Sequence, residues 1–286
     1  MDYVSLFSGI GGFELGIQAA RPDARCIGWS EIDPHAIEVY SRNFPDHPFL
    51  GDVTAIDADA LPPFELLVAG FPCQSFSIMG KRAGMEDTRG TLFFDIARIL
   101  KARRPANFIL ENVKGLLSHD QGRTFGVILS ALDELGYCVE WQVLDSRDFG
   151  LPQARQRVYL VGHHGGMPPW GPALRLPRAA GHRLEEVTRG TSIGHRVYQP
   201  TAARTLASQG GGGGALTGLY LDPRTAAVRK LTPREAERCQ GFPDDWTFGT
   251  DTARYRRIGN AVSVPVVESI VRRIYPEARI QMEELL

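Results

Sequence analysis

Leu66-Leu67-Val68-Ala69 is an unbroken apolar run, and Gly70-Phe71-Pro72-Cys73 follows it directly. A run this short, with no polar alternation and a turn behind it, reads as a strand buried on both faces. Such strands belong to parallel sheets covered by helices. The glycine and proline then turn the chain at the carboxyl end of the strand, the edge at which open α/β sheets bind ligands. Pro72 stiffens the turn, so the cysteine after it is held in place. Most buried cysteines act as small core hydrophobes. Here the polar Gln74-Ser75-Phe76-Ser77 and a Gly- and charge-rich stretch come next, which cannot be core. Cys73 therefore reads as a reactive thiol on a strand-end loop.

The same grammar recurs on either side. A short apolar strand leads into Phe7-Ser8-Gly9-Ile10-Gly11-Gly12 and a helix-like stretch to Ala20. Glycines this dense let the backbone approach a cofactor closely at a helix N-terminus. Their spacing is not GxGxxG, so a phosphate-bearing cofactor is not specifically indicated. Strand 26–30 ends in Glu31-Ile32-Asp33. An acid about 20 positions past the glycine turn suits the hydroxyls of a ribose; a capping or surface carboxylate is the alternative. Segment 49–53 puts Asp52 on another strand end, and Phe108-Ile109-Leu110 does the same for Glu111. Helices are predicted over 34–43, 91–102 and 122–135, with strands over 137–144 and 157–162. Alternating strand and helix predicts a mostly parallel sheet covered by helices on both faces, with its strand-end residues gathered on one edge.

The pattern breaks after Gly162. Residues 163–228 are rich in Gly, Pro, Arg and His and carry 7 Lys+Arg against 3 Asp+Glu. Residues 1–162 carry 15 against 21, so an acidic body holds a basic insert, as suits a polyanion bound at one face. Gly210 to Gly214 reads either as a linker or as backbone pressed against a ligand. Thr232-Pro233-Arg234-Glu235 is a helix start, and an apolar helix is predicted over 262–275. Four scattered cysteines without a CxxC pair argue against zinc and disulfides and for a reducing cytoplasm. Neither a membrane-length apolar run nor a signal peptide is present in the sequence, so no membrane association is expected.

Taken in order, Phe7-Ser-Gly-Ile-Gly-Gly12, Gly70-Phe-Pro-Cys-Gln-Ser-Phe-Ser77, Glu111-Asn-Val113, Gln153-Ala-Arg155-Gln-Arg157, Arg229–Glu235 with Gln240–Pro243, and Gly259-Asn-Ala-Val262 resemble the motifs of the DNA (cytosine-5)-methyltransferases of the single-chain bacterial or phage type. The resemblance covers nearly the whole chain except the variable part of 163–228. It implies an α/β fold: a Rossmann-like S-adenosylmethionine-dependent methyltransferase sheet with a small, irregular, mostly β target-recognition domain. The implied division is a catalytic domain at 1–172, a target-recognition domain at 173–235, and a hinge and C-terminal segment at 236–286 that returns to the body.

By the same resemblance, S-adenosyl-L-methionine is the methyl donor, S-adenosyl-L-homocysteine the product, and no metal takes part. Cys73 is the expected nucleophile toward C6 of a flipped-out cytosine, and Glu111 the group that holds the ring. Arg155 and Arg157 are expected on opposite faces, with Arg155 toward the base carbonyl and Cys73, and Arg157 bracing the site or a phosphate. The cofactor pocket is expected to use Phe7, Gly9, Ile10, Gly12, Glu31, Ile32, Asp52, Val53, Gly70, Pro72, Leu92, Asn260 and Val262. Phe7, Leu92 and Val262 also read as core. DNA contacts are expected from Gln74, Ser77, Met79, Lys81, Arg82, Arg196, Thr205, Gln209, Gly210 and Gly211. Met79 is either a wedge in the vacated stack or a packing residue. The expected partner is double-stranded DNA; the setting is either restriction–modification, with a cognate endonuclease acting separately, or that of an orphan or phage methylase, and the chain is expected to be a cytoplasmic monomer. An RNA cytosine-5 methyltransferase and a catalytically silent DNA-binding regulator are the alternatives; the basic insert counts against the first, intact Cys73, Glu111 and Arg155 against the second.

Overall fold

Strand residues with apolar side chains on both faces need a layer of helix on each side, and the chain builds that sandwich. The computed structural model describes residues 1–72, 92–168, 171–176, 186–188, 197–199, 201–206 and 218–276. Within them run β1 (Asp2–Leu6), α1 (Gly12–Ala20), β2 (Arg25–Ser30), α2 (Pro34–Asn43), β3 (Phe49–Gly51) and β4 (Leu66–Gly70). Next come α3 (Leu92–Arg103), β5 (Asn107–Val113), α4 (Arg123–Glu134), β6 (Tyr137–Asp145), β7 (Gln153–Ala154) and β8 (Gln156–His164). Short strands follow: β9 (Glu186–Thr188), β10 (Val197–Tyr198), β11 (Ala203–Arg204), β12 (Leu219–Leu221) and β13 (Val228–Arg229). The chain then forms α5 (Pro233–Gln240), α6 (Asp251–Asn260) and α7 (Val264–Ile274).

Seven strands form the central sheet in the order β3-β2-β1-β4-β5-β8-β6. β1 to β5 are parallel, and β8 is inserted antiparallel between β5 and β6. Alternate residues of β4 divide between two cores: Leu67 and Ala69 pack with α3 and α4, and Leu66 and Val68 with α1 and α7. The period of two along a fully apolar run is therefore used on both sides, as the sequence predicts. Phe108 lies across Gly162 on β8, where a Cβ would come within 2.0 Å of the ring, so that position tolerates no side chain. α1 and α7 pack as closely: a Cβ on Gly16 would stand 2.7 Å from Val267.

A four-stranded sheet, β13-β12-β10-β9, forms from the insert, while β11 leaves it to pair with β7 of the body. The backbone amides of Ala173 and Leu174 donate to Glu140 on β6, at 2.6 and 2.8 Å, which ties the first residues after 172 to the body. The capping box predicted at Thr232 and Glu235 starts α5. α6 is absent from the sequence prediction: Asp251–Asn260 is largely polar and gives little apolar periodicity.

Candidate active site

The carboxyl ends of β1, β2, β3, β4 and β5 open into a cleft of about 890 Å³. The turn after β1 is forced into unusual backbone: Phe7, Gly9 and Gly11 have φ of 54°, 57° and 89°. For a phenylalanine this is a strained conformation held by its surroundings. A Cβ on Gly9 would meet nothing within 4 Å, so this glycine leaves open space on the cleft wall. Its amide donates to Glu31 Oε2 at 2.9 Å, while Glu31 Oε1 accepts from the amides of Ile32 and Asp33 at 2.7 and 3.0 Å. The carboxylate is thus fixed by three backbone donors and still faces the cleft. Ile32 beside it is 67% exposed, an apolar side chain next to that carboxylate on the cleft wall.

Phe7, Gly9, Glu31, Ile32, Asp52 and Val53 all line the cleft, as do Gly70, Pro72, Leu92 and Asn260. Three residues expected there do not. Ile10 is buried with Ala36, Val39 and Phe242. Gly12 sits where a Cβ would be 2.9 Å from Val262 Cγ2 and 3.1 Å from its carbonyl oxygen, so its role is to let α1 approach residue 262. Val262 packs with Phe13 and Val266. The glycine pattern at 9–12 thus serves two ends: open backbone at Gly9 and tight packing at Gly12.

The pairing of β4 with β5 sets Gly70 beside Glu111. Glu111 is buried, and burial, the dominant influence, raises its carboxyl above the ordinary range against the opposing pull of Arg157 and Arg155. Its Oε1 is 3.1 Å from Arg157 Nε, yet has no aligned hydrogen-bond partner among the described residues. A buried acid on a cleft wall, beside a cation but without an aligned hydrogen bond at that oxygen, is poised to accept or share a proton with a bound group. Asn112 is a residue the sequence reading passed over. Its Nδ2 donates to the Phe71 carbonyl at 2.8 Å, so β5 grips the turn that leads through Pro72 to residue 73. Its place after Glu111 in a strand neighbouring β4 was the available signal. Arg256 on α6, also unforeseen, lines the cleft beside Gly259 and Asn260.

The two arginines do not point to opposite faces: positions two apart on extended chain share a face, and both border the cleft. Arg157 turns to Glu111, because Val113 pairs with Arg157 in the β5–β8 ladder. Arg155 also borders the cleft, but its Nη1 donates to the carbonyls of Leu206 and Gly259 and its Nη2 to that of Ala261. Burial pulls its pKa down to about 10. Thr205 donates its hydroxyl to the Ala154 carbonyl rather than presenting it outward. Cys73, Gln74, Ser77, Met79, Lys81, Arg82, Arg196, Gln209, Gly210 and Gly211 lie outside the described residues. Among the described residues no His/Cys/Asp/Glu group is arranged to hold a metal, and no helix is long and apolar enough to cross a membrane.

An open sheet of this order with a cleft at its carboxyl edge is the Rossmann-like methyltransferase fold. Solved structures share it: the S. pombe Dnmt2 methyltransferase superposes with a TM-score of 0.77 at 20% identity, covering 96% of this chain and 98% of that one. The C-5 cytosine-specific DNA methylase family model matches residues 1–189 and 179–276. The Type II methyltransferase M.NgoBI of Neisseria gonorrhoeae is 42% identical over 93% of this chain and 90% of its own length. M.NlaX of Neisseria lactamica is 40% identical over 95% of both. The chain belongs to the C-5 cytosine-specific DNA methylase family. As an enzyme it is a DNA (cytosine-5)-methyltransferase.

Proposed function

We propose that the protein methylates C5 of one cytosine within a short double-stranded DNA sequence, through a transient bond between Cys73 and C6 of an extruded base. The observation that carries this reading is a single cleft wall. It holds a buried acid flanked by cations at Glu111, the turn entering Cys73 at Gly70–Pro72, and the amide-fixed Glu31. The relatives named Type II methyltransferases support a place in restriction and modification, with a cognate endonuclease acting separately.

S-adenosyl-L-methionine, when bound, supplies the methyl group. The residues fit such a ligand. Glu31 suits the ribose hydroxyls and Asp52 the adenine amino group. Phe7, Ile32, Val53 and Leu92 offer apolar surface, and open space lies over Gly9. A cytosine C5 is too poor a nucleophile alone. Addition of the Cys73 thiolate to C6 makes C5 enamine-like; after C5 gains the methyl group it loses its proton to water, and the sulfur departs with its bonding pair. Glu111, whose carboxyl burial raises, shares a proton with N3 and accepts from the N4 amino group, steadying charge pushed onto the ring. Arg157, beside Glu111, is the guanidinium placed for the base carbonyl, with Arg155 holding backbone behind it.

The target cytosine must leave the stack, at a cost of about a few kcal/mol, because C5 and C6 are covered in a duplex. Residues 78–84, with Lys81 and Arg82 for phosphates, are assigned to closing over it, and the basic insert to reading the sequence. The division into 1–172, 173–235 and 236–286 belongs to this reading, with the first few residues after 172 and the 203–206 stretch anchored to the body.

Bisulfite sequencing of host DNA, with and without the protein, tests the reading. The expected result is 5-methylcytosine at one short sequence, abolished by Cys73→Ser to below roughly a thousandth of the wild-type rate. Retained methylation in that variant contradicts it, as does labelling of RNA cytosines with none in DNA.

A further inference from the structure

Arg155 is among the largest side chains withdrawn from solvent, at 2% exposure. Burying a guanidinium is unfavourable compared with an aliphatic chain of the same size, so its retention needs a reason. The reason lies in what its fork spans. Nη1 reaches Leu206 O at 3.3 Å and Gly259 O at 3.0 Å, and Nη2 reaches Ala261 O at 2.8 Å. Two residues earlier, the fully buried Gln153 accepts the Leu206 amide on Oε1 at 3.0 Å and donates from Nε2 to Cys239 O at 2.9 Å. The amide and the carbonyl of Leu206 are thus both held by buried side chains from the segment entering β8.

Leu206 is the last described residue before 207–217, the glycine-rich stretch. On the far side of the fork, Gly259 and Asn260 line the cleft. Gln240 extends the layer, donating from Nε2 to Ile258 O and Ala261 O at 2.9 and 3.1 Å and accepting from Ser263 Oγ at 2.9 Å. One connected sheet of hydrogen bonds therefore runs from residue 206 to the cofactor wall, and networks of this kind polarise and order one another. A lysine could not replace the fork: its ammonium is a point charge, whereas the guanidinium offers donors in fixed planar directions.

We infer that Arg155 and Gln153 are positioning residues that register the entry to the recognition segment, at Leu206, against the Gly259–Ala261 wall of the cleft. A ligand in the cleft and the hold on Leu206 are then linked, and the linkage runs in both directions. The inference rests on the reading of the cleft as the S-adenosylmethionine site.

Hydrogen exchange of the 201–206 stretch, with and without saturating S-adenosyl-L-homocysteine, tests it in the full chain, with calorimetry recording ligand affinity. In the wild type the ligand slows exchange of the Leu206 amide about fivefold or more, the low end of ordinary coupling. In Arg155→Lys the ligand still binds but this slowing disappears, although Gln153 still accepts the Leu206 amide, a loss that a purely scaffolding role does not produce. If thermal melting shows Arg155→Lys unfolded, Arg155→Met decides in its place, since it fills the same space without a buried charge and removes the fork. Slowing that persists in the folded variants overturns the inference, as does a wild type that binds the ligand without slowing. A wild type that does not bind the ligand at all instead removes the reading of the cleft, and the inference with it.

Discussion

Glu14 and Glu111 are both buried carboxylates, and of the two only Glu111 faces the cleft. Glu14 on α1 is wholly buried; Tyr40 donates its hydroxyl to Glu14 Oε1 at 3.0 Å, and among the described residues no ion pair neutralises it. Burial pushes its pKa up to about 7. Glu111 is also buried and also raised, but Arg157 stands 3.1 Å away and the acid borders the cleft. A shifted acid alone therefore marks no site. What separates the two is access and a cation, which together let a group change its proton or its partner without unfolding the protein. Glu14 is an ionisable group inside a core; Glu111 is one turned toward a substrate.

The largest separation between them is expected in rate. Glu111→Gln keeps the shape but changes the proton held at N3, and should lower kcat by roughly 10²- to 10³-fold. Binding of S-adenosyl-L-homocysteine should stay near the wild-type value. Glu14→Gln should leave kcat near wild type. A methyl-transfer assay that ranks the two variants the other way would break the comparison.

In stability the order reverses. Glu14 titrates near 4.5 when unfolded and at about 7 when folded, so the folded protein binds the extra proton between those values. Stability from this group is fully present below about pH 4.5, falls as pH rises through 7, and is then lower by roughly 3 kcal/mol. Thermal melting from pH 5 to 8 should therefore show wild type losing stability relative to Glu14→Gln as pH rises. Parallel curves for the two proteins would show that Glu14 is not the group responsible.

The sequence reading reached Glu111 and not the meaning of Glu14, and the reason is local. Strands β1, β2, β4 and β5 announce themselves through short apolar runs, and a residue at the end of such a run has a known place. The loop between β1 and α1 was likewise visible in its glycines, although pattern alone did not separate Gly9, which opens onto the cleft, from Gly12, which packs on Val262. That difference depends on residues 250 positions away. The two arginines show the same limit. Two-residue spacing puts them on one side, where both border the cleft, but which one meets Glu111 follows from the antiparallel pairing of β8 with β5, a long-range register that no local pattern carries. Asn112 was hidden for a similar cause, since its partner is a backbone carbonyl on the neighbouring strand.

The smallest effect should come from the cleft's apolar surface. Ile32→Ala removes a side chain that is 67% exposed in the free protein and should weaken S-adenosyl-L-homocysteine binding about tenfold, the effect of burying a few methylene equivalents. Calorimetry should find kcat at saturating cofactor nearly unchanged in the same variant. A change confined to kcat would assign Ile32 to the chemistry and not to the cofactor.

The claim on which the rest depends is the bond from Cys73 to the base, and a duplex with 5-fluorocytosine at the methylated position measures it directly. With the fluorine in place of the C5 proton, elimination stalls once the methyl group has been transferred. Peptide mass analysis should then find the oligonucleotide fixed to Cys73 and to none of Cys26, Cys138 and Cys239. Tight binding and methyl transfer to ordinary cytosine, with no adduct on the fluorinated duplex or with one on another cysteine, would contradict the account.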